Sequence, residues 1–376
     1  MTYARARLWV GVCGVGTIVL AACTALALGL PSRLPADDLA ALSGVLALYI
    51  ALSGPFDLFG GYLLPCGHGR MCRTFPAFLW SWVRGVTVHA VCLGLCGLAV
   101  LSAGRVGGFA GAAGAVLLLM LVLLAAQSPL AKLVGGLRSA PAELEPAATI
   151  LGQWRLRPPA NVAILAGIDA GFVGGLAGLP GFERLVVPGL WAGHLGAESI
   201  AVQIARRAVA LATGARRRGV LLALLWNLAG FSLAYLMPGA GVNTVAGLVT
   251  LSLWFTLWSF LGLLTLPSLS RPGVFEVDRE AAAAGAPPEL VERAAAELDQ
   301  LQDDEPHRPK GIETIFHPIP SVTSRVERLR AGGRPRGCWQ GARMALFLSW
   351  ASLGFLSRAV HCNAGRPELW VLFPGD

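Results

Sequence analysis

Charge is scarce in this chain: 14% of its 376 residues are Asp, Glu, Lys or Arg, against about 25% in an ordinary globular domain. Hydrophobic residues make up 55% and the mean hydropathy is +0.62. Together these figures exclude a disordered chain and argue against a wholly soluble one. Lysine is nearly absent, with only Lys132 and Lys310, so arginine carries the positive charge, a bias that fits a GC-rich genome better than a chemical need. The formal net charge of +8 would suggest nucleic acid in a polar protein. Here no basic–aromatic stripe accompanies it, which argues against a nucleic-acid partner. It reads instead as arginine-rich loops held on one side of a membrane. Walker-type glycine loops and nucleophile elbows are missing too. The eight cysteines are scattered, and Cys13, Cys23, Cys92 and Cys96 sit inside apolar runs, which is not a disulfide framework.

What the chain does have is apolar runs near the ~20 residues a transmembrane helix requires. Leu8–Leu30 is the first, and it outlasts a signal-peptide core. Leu20-Ala-Ala-Cys23 looks like a lipoprotein cleavage box, but the run continues past the cysteine, so a span is preferred. A second span starts at Leu39–Gly54 and continues toward Leu64 through Pro55 and Asp57. Ala77–Ser102, Gly108–Ala126, Gly219–Met237 and Val242–Pro267 complete six, and Met344–Ser357 reads as interfacial or re-entrant. With the N-terminus inside, the inner segments hold Arg5, Arg7, Arg70, Arg73 and the stretch from Lys132 to Arg218, while the outer loops hold Arg33 and Arg105. Both large polar segments, 127–218 and 268–343, then lie in the cytoplasm, flanking a tight apolar hairpin that brings them together.

In the first polar segment a helix at 140–151 precedes a strand-like run, Asn161–Leu165. Then come the glycine-rich turn Asp169-Ala-Gly-Phe-Val-Gly-Gly175, a second strand at Arg184–Pro188, and helical periodicity over 196–212 with Ile200, Ile204 and Val209 on one side. The second segment has a helix at Pro288–Gln302 and ends in His317-Pro318 with Arg325 and Leu329.

This order resembles the membrane zinc metallopeptidases of the HtpX and CAAX prenyl protease type, over roughly residues 140–330. Their soluble gluzincin domain is interrupted by a transmembrane hairpin. The family's Asn-Ala-Phe-x-x-Gly turn is similar to the segment opening at Asp169. Its helix phrase is similar to Leu195-Gly-Ala-Glu-Ser-Ile-Ala-Val-Gln-Ile-Ala-Arg-Arg207, and its Ser-Arg…Glu…Asp phrase to Ser270-Arg-Pro-Gly-Val-Phe-Glu-Val-Asp278. The closing His-Pro…Arg phrase is matched by His317 and Arg325.

The resemblance implies a His-Glu-x-x-His helix, because residues four apart share a face and bind one Zn²⁺ while the Glu polarises its water. Laid on this sequence, the phrase puts Arg206 and Arg207 at the first His and Glu, and Ala210 at the second His. Val274 falls at the third ligand, while the family's supporting acid survives as Asp278. Two guanidiniums would repel a dication. The favoured reading has no cofactor: a catalytically degenerate, pseudopeptidase homologue that recognises peptides or membrane-protein clients, its two arginines selecting acidic segments. An active zinc endopeptidase remains the alternative, using a relocated site at His194, Glu198 and His317 or a different helix register. Cys66-Gly-His68-Gly-Arg-Met-Cys72 lacks a fourth ligand for a structural zinc.

Polar groups inside the membrane are costly enough to need a reason. Asp57 is expected to pair with Arg84; with His89 it could form a proton relay in a transporter, the second alternative. Asn227 could bond a neighbouring helix. The expectation is therefore a mainly α polytopic protein of a bacterial inner membrane, its N-terminus and soluble domain cytoplasmic and the bilayer its one certain partner. Its parts are a four-helix region (1–136), the halves of a small α+β domain (137–218 and 268–340) split by a hairpin (219–267), and a short apolar segment with a tail (341–376).

Overall fold

The computed structural model describes residues 1–35, 37–70, 73–141, 144–154, 156 and 159–372. Among them, five helices are long and apolar enough to cross a membrane. The first is α1 (Tyr3–Ala27). The second, α2 (Asp38–Leu58), passes through Pro55 and Asp57 without breaking and continues through a wider turn to Gly67. The two runs expected at 77–102 and 108–126 form one 51-residue element, α3 (Phe75–Ala125), interrupted at Gly108 with φ 57° and ψ −146°. That conformation is closed to residues bearing a Cβ. Beyond the end of α3, Gly136 lies so close to Arg84 that a Cβ there would fall 2.1 Å from the guanidinium. The chain after Gly108 has therefore returned to the end from which it started.

Beside the long helices lies a four-stranded sheet of order β1-β2-β4-β3: β1 (Arg138–Ser139), β2 (Val162–Ala166), β3 (Gly175–Ala177) and β4 (Arg184–Pro188). β2 and β4 are parallel, with Val162 opposite Leu185, while β1 and β3 are antiparallel to their neighbours. Side chains alternate across a strand, and the sheet divides two cores accordingly. Leu165 and Val186 face the core of the helical bundle, whereas Leu185 and Val187 face a second core against α4 (Ala197–Ala212).

After α4 come α5 (Ala215–Tyr235) and α6 (Val245–Ala283). At 1.5 Å per residue, the 39 residues of α6 run to about 58 Å, against ~30 Å of bilayer hydrocarbon. Its second half packs beside the sheet, where Val274, Val277 and Ala281 join the core of α4. Helices α7 (Pro288–Gln302) and α8 (Val322–Ala331) pack there as well.

The stretch expected at the interface behaves differently. Helix α9 (Gly341–Leu348) is followed by turns, and residues 341–372 are buried almost throughout. This segment runs inside the bundle because the surrounding glycines leave room for its backbone. A Cβ on Gly61 would lie 2.0 Å from the carbonyl of Gly365.

Candidate functional site

The helix phrase carries Arg206 and Arg207 on the inward side of α4, each 1% exposed. Arg206 Nε donates to Asp278 Oδ1 at 2.7 Å, and its Nη1 donates to Gln203 Oε1 at 3.0 Å. Arg325, from α8, donates Nε to Asp278 Oδ2 and Nη2 to Oδ1, both at 2.8 Å. Both oxygens of one buried carboxylate are thus held by two guanidiniums. Arg207 donates to Gln203 O at 2.7 Å and to Val173 O at 2.9 Å, and its guanidinium lies 5.1 Å from the Trp191 ring. Gln203, a residue the sequence did not single out, closes the network by donating to Ala294 O at 3.2 Å. Ala210 and Val274 lie in the apolar core beside it.

Arg206, Asp278 and Arg325 therefore meet in a salt-bridged core without a metal's donor set. Zinc needs neutral imidazole, thiolate or carboxylate donors with free lone pairs. Here the helix offers two cations and an alanine, and the one carboxylate is engaged on both oxygens. These residues do not fit a zinc ion. The same burial corrects a second expectation: Arg206 and Arg207 are spent on internal partners and do not face a client.

The relocated site does not assemble, since among the described residues no three His, Cys, Asp or Glu side chains form a metal-holding group. His194 is exposed with Nδ1 3.1 Å from Leu190 O, and Glu198 is exposed and pairs with Arg293. His317 is buried elsewhere, its ring 4.9 Å from that of His361; burial and nearby cationic groups push its imidazole well below the usual range. In the cysteine cluster, His68 Nδ1 lies 2.9 Å from Leu64 O, and Cys72 falls outside the described residues.

Inside the bundle, Asp57 does not pair with Arg84. It pairs with Arg358 and also accepts from Trp82 Nε1 at 3.0 Å and from the Gly365 N–H at 2.7 Å. Arg84 instead donates to Ser81 Oγ at 3.2 Å. His89 is wholly buried, 4.3 Å from the Trp350 ring, and has no hydrogen bond to Asp57. Asn227 donates to Ala345 O on α9 at 3.1 Å and to Ala223 O at 2.8 Å.

The C-terminal segment supplies the partners that the sequence reading missed. Arg366 clamps Asp169 through Nε at 2.6 Å and through Nη2, while Glu368 accepts from the Asp169 N–H at 2.7 Å. Burial would raise the Asp169 carboxyl, but the Arg366 guanidinium outweighs it and holds the group down to about 2. Glu368 is pushed up to about 7 by burial and by Asp169 beside it. A signal was available: Asp57 and Asp169 needed counter-charges, and Arg358, Arg366 and Glu368 are conspicuous within an apolar segment.

With this geometry, the protein has the fold of a polytopic membrane metallopeptidase of the Ste24/CAAX type. One solved structure that carries this likeness is Ste24p of S. mikatae, with a TM-score of 0.65, 14% identity, and coverage of 77% of this chain and 75% of that one. No protein-family model matches the sequence, and no curated protein does.

Proposed function

We propose that this is a catalytically degenerate member of the membrane metallopeptidase fold, HtpX-like in organisation, which binds peptide segments or membrane proteins without cleaving them. The observation that carries the reading is the clamp on Asp278. Arg206 and Arg325 neutralise it where the fold's hydrolytic chemistry would require a metal and its water. Buried ion pairs of this kind are structural commitments, since removing one partner strands a charge in a poor solvent.

In this reading α3 crosses the bilayer twice about Gly108, giving six crossings in all. The N-terminus and soluble part lie on the cytoplasmic side of a bacterial inner membrane, as the arginine distribution directs. Residues 137–218 and 268–340 form the soluble unit around the hairpin 219–267, 1–136 form the first membrane region, and 341–376 the closing segment. Recognition then rests on surfaces other than Arg206 and Arg207. The test is cleavage in proteoliposomes of a photo-crosslinkable peptide library. Peptides crosslinked and recovered intact, with or without chelator, support the reading; chelator-sensitive cleavage overturns it.

A further inference from the structure

A cavity of about 370 Å³ opens where the ends of three long helices meet the turn at Asp169, at the small end of the ~300–1,000 Å³ usual for ligand sites. Tyr3 stands at the start of α1, Pro65 in the continuation of α2, and Arg73 two residues before α3, while Gln300 of α7 lines the other side. The three long helices are membrane-crossing in length and composition, so a cavity at their ends lies at the level of the lipid headgroups. Basic pockets at that level collect anionic headgroups.

The lining carries a surplus of positive charge. Among its described residues are three guanidiniums, Arg70, Arg73 and Arg366, and one carboxylate, Asp169. Arg366 takes both oxygens of Asp169, with Nε at 2.6 Å, so that pair is closed. Arg70 lies 4.9 Å from the Tyr3 ring, donates to Gln300 O at 3.3 Å and pairs with Asp304 at 3.2 Å. Asp304 is 58% exposed, and a pair made with so exposed an acid is screened and easily exchanged. The Arg73 side chain is 8% exposed, yet the acid it reaches, Glu368, is 3.4 Å away, longer than the ~2.7–3.2 Å of a good hydrogen bond. Glu368 is itself pushed up to about 7 by burial, so at neutral pH its charge is partial. A guanidinium this buried gains from a nearer anion, and a phosphate presents paired acceptors that match its fork.

We propose that this cavity binds one phosphate group, held by Arg73 and Arg70 and carried by a lipid headgroup or a soluble phosphate ester. The phosphate and Glu368 then compete for Arg73, while the exposed Asp304 gives way at Arg70. Arg366 and Glu368 both belong to the closing segment, so the ligand sits where that segment meets the first three helices. The inference stands independently of whether the protein cleaves peptides.

The test titrates the full chain in mild detergent by isothermal calorimetry, in one arm with short-chain phosphatidic acid and in the other with inorganic phosphate. One saturable site per chain is expected. Binding in both arms shows that a soluble phosphate suffices, and binding of phosphatidic acid alone marks the lipid as the source. Arg73→Gln should weaken binding roughly tenfold, the scale of one charge-assisted bond, and Arg73→Lys should weaken it less. Glu368→Gln removes the competitor and should tighten binding, which a merely structural role for Arg73 would not produce and which remains readable if Arg73→Gln does not fold. Arg105→Gln, at the opposite ends of these helices and paired with Asp38, should change nothing. No saturable binding in either arm, an affinity unmoved by Arg73→Gln, or no tightening in Glu368→Gln overturns the proposal.

Discussion

Replacing Asp278 with alanine probes the clamp most sharply. The change removes three charge-assisted hydrogen bonds of 2.7–2.8 Å and leaves two guanidiniums, 1% and 6% exposed, without their shared counter-charge. Breaking a buried pair by removing one partner costs about 3–5 kcal/mol. At ~2 °C per kcal/mol for a large domain, the midpoint should fall by roughly 6–10 °C. Tryptophan fluorescence during a thermal ramp in detergent reads this directly, since Trp191 lies in the core adjoining the clamp. Arg206→Ala should cost less, about 1–3 kcal/mol, because Arg325 still holds the carboxylate. The triple replacement Arg206→Leu, Asp278→Leu and Arg325→Leu should recover much of the loss, as buried ion networks exchanged for apolar side chains often do. The reasoning fails if Asp278→Ala leaves the midpoint within about 2 °C of wild type, or if the triple variant is the least stable of the set.

The closing segment gives three further expectations. Arg358→Met should destabilise the bundle by about 3–5 kcal/mol by stranding Asp57, and Asp57→Asn in the same chain should restore part of that, both read as detergent melting midpoints. Gly61→Ala should shift the midpoint down far more than Gly44→Ala, because the first collides with the Gly365 carbonyl at 2.0 Å and the second meets nothing. The third concerns pH. Glu368 is raised from an ordinary 4.5 to about 7 in the folded protein, so the folded state holds the proton more tightly between those values. Its contribution to stability is therefore present below pH 4.5 and is lost as pH rises through 7, by an amount of order 3 kcal/mol. Glu368→Gln should accordingly gain stability relative to wild type between pH 5 and pH 8. A constant difference across that range would refute the assignment.

The sequence discloses different parts of this structure to different degrees, for physical reasons. Long apolar runs are unambiguous, so the helices from Tyr3 to Ala27 and from Ala215 to Tyr235 are readable with only their ends in doubt. The short apolar, β-branched-containing runs Val162–Ala166 and Arg184–Pro188 likewise mark strands, and the glycine-rich turn at Asp169 marks the bend between them. That Arg206, Arg207, Ala210 and Val274 stand where the resemblance implies catalytic-site residues is visible too, because a missing donor is as plain as a present one. What those arginines do instead was not readable. Their partner Asp278 is 72 residues from Arg206, and nothing local says that a guanidinium faces inward. The closing segment was the least legible part. Its apolar stretch is too short for a span, its turns carry no periodicity, and Arg358 meets Asp57 across 301 positions. Charge complementarity was the one clue, and Arg84 offered a nearer, mistaken partner for Asp57.

Around Asp278 the core is salt-bridged by Arg206 and Arg325, with no place for a metal. The most direct measurement is the zinc content of the purified full-length protein by mass spectrometry, before and after dialysis against zinc, together with its melting midpoint in chelator. The account predicts far less than one zinc per chain in each case and a midpoint unmoved by chelator. One tightly held zinc per chain, lost with a fall in stability when chelator is added, would contradict it.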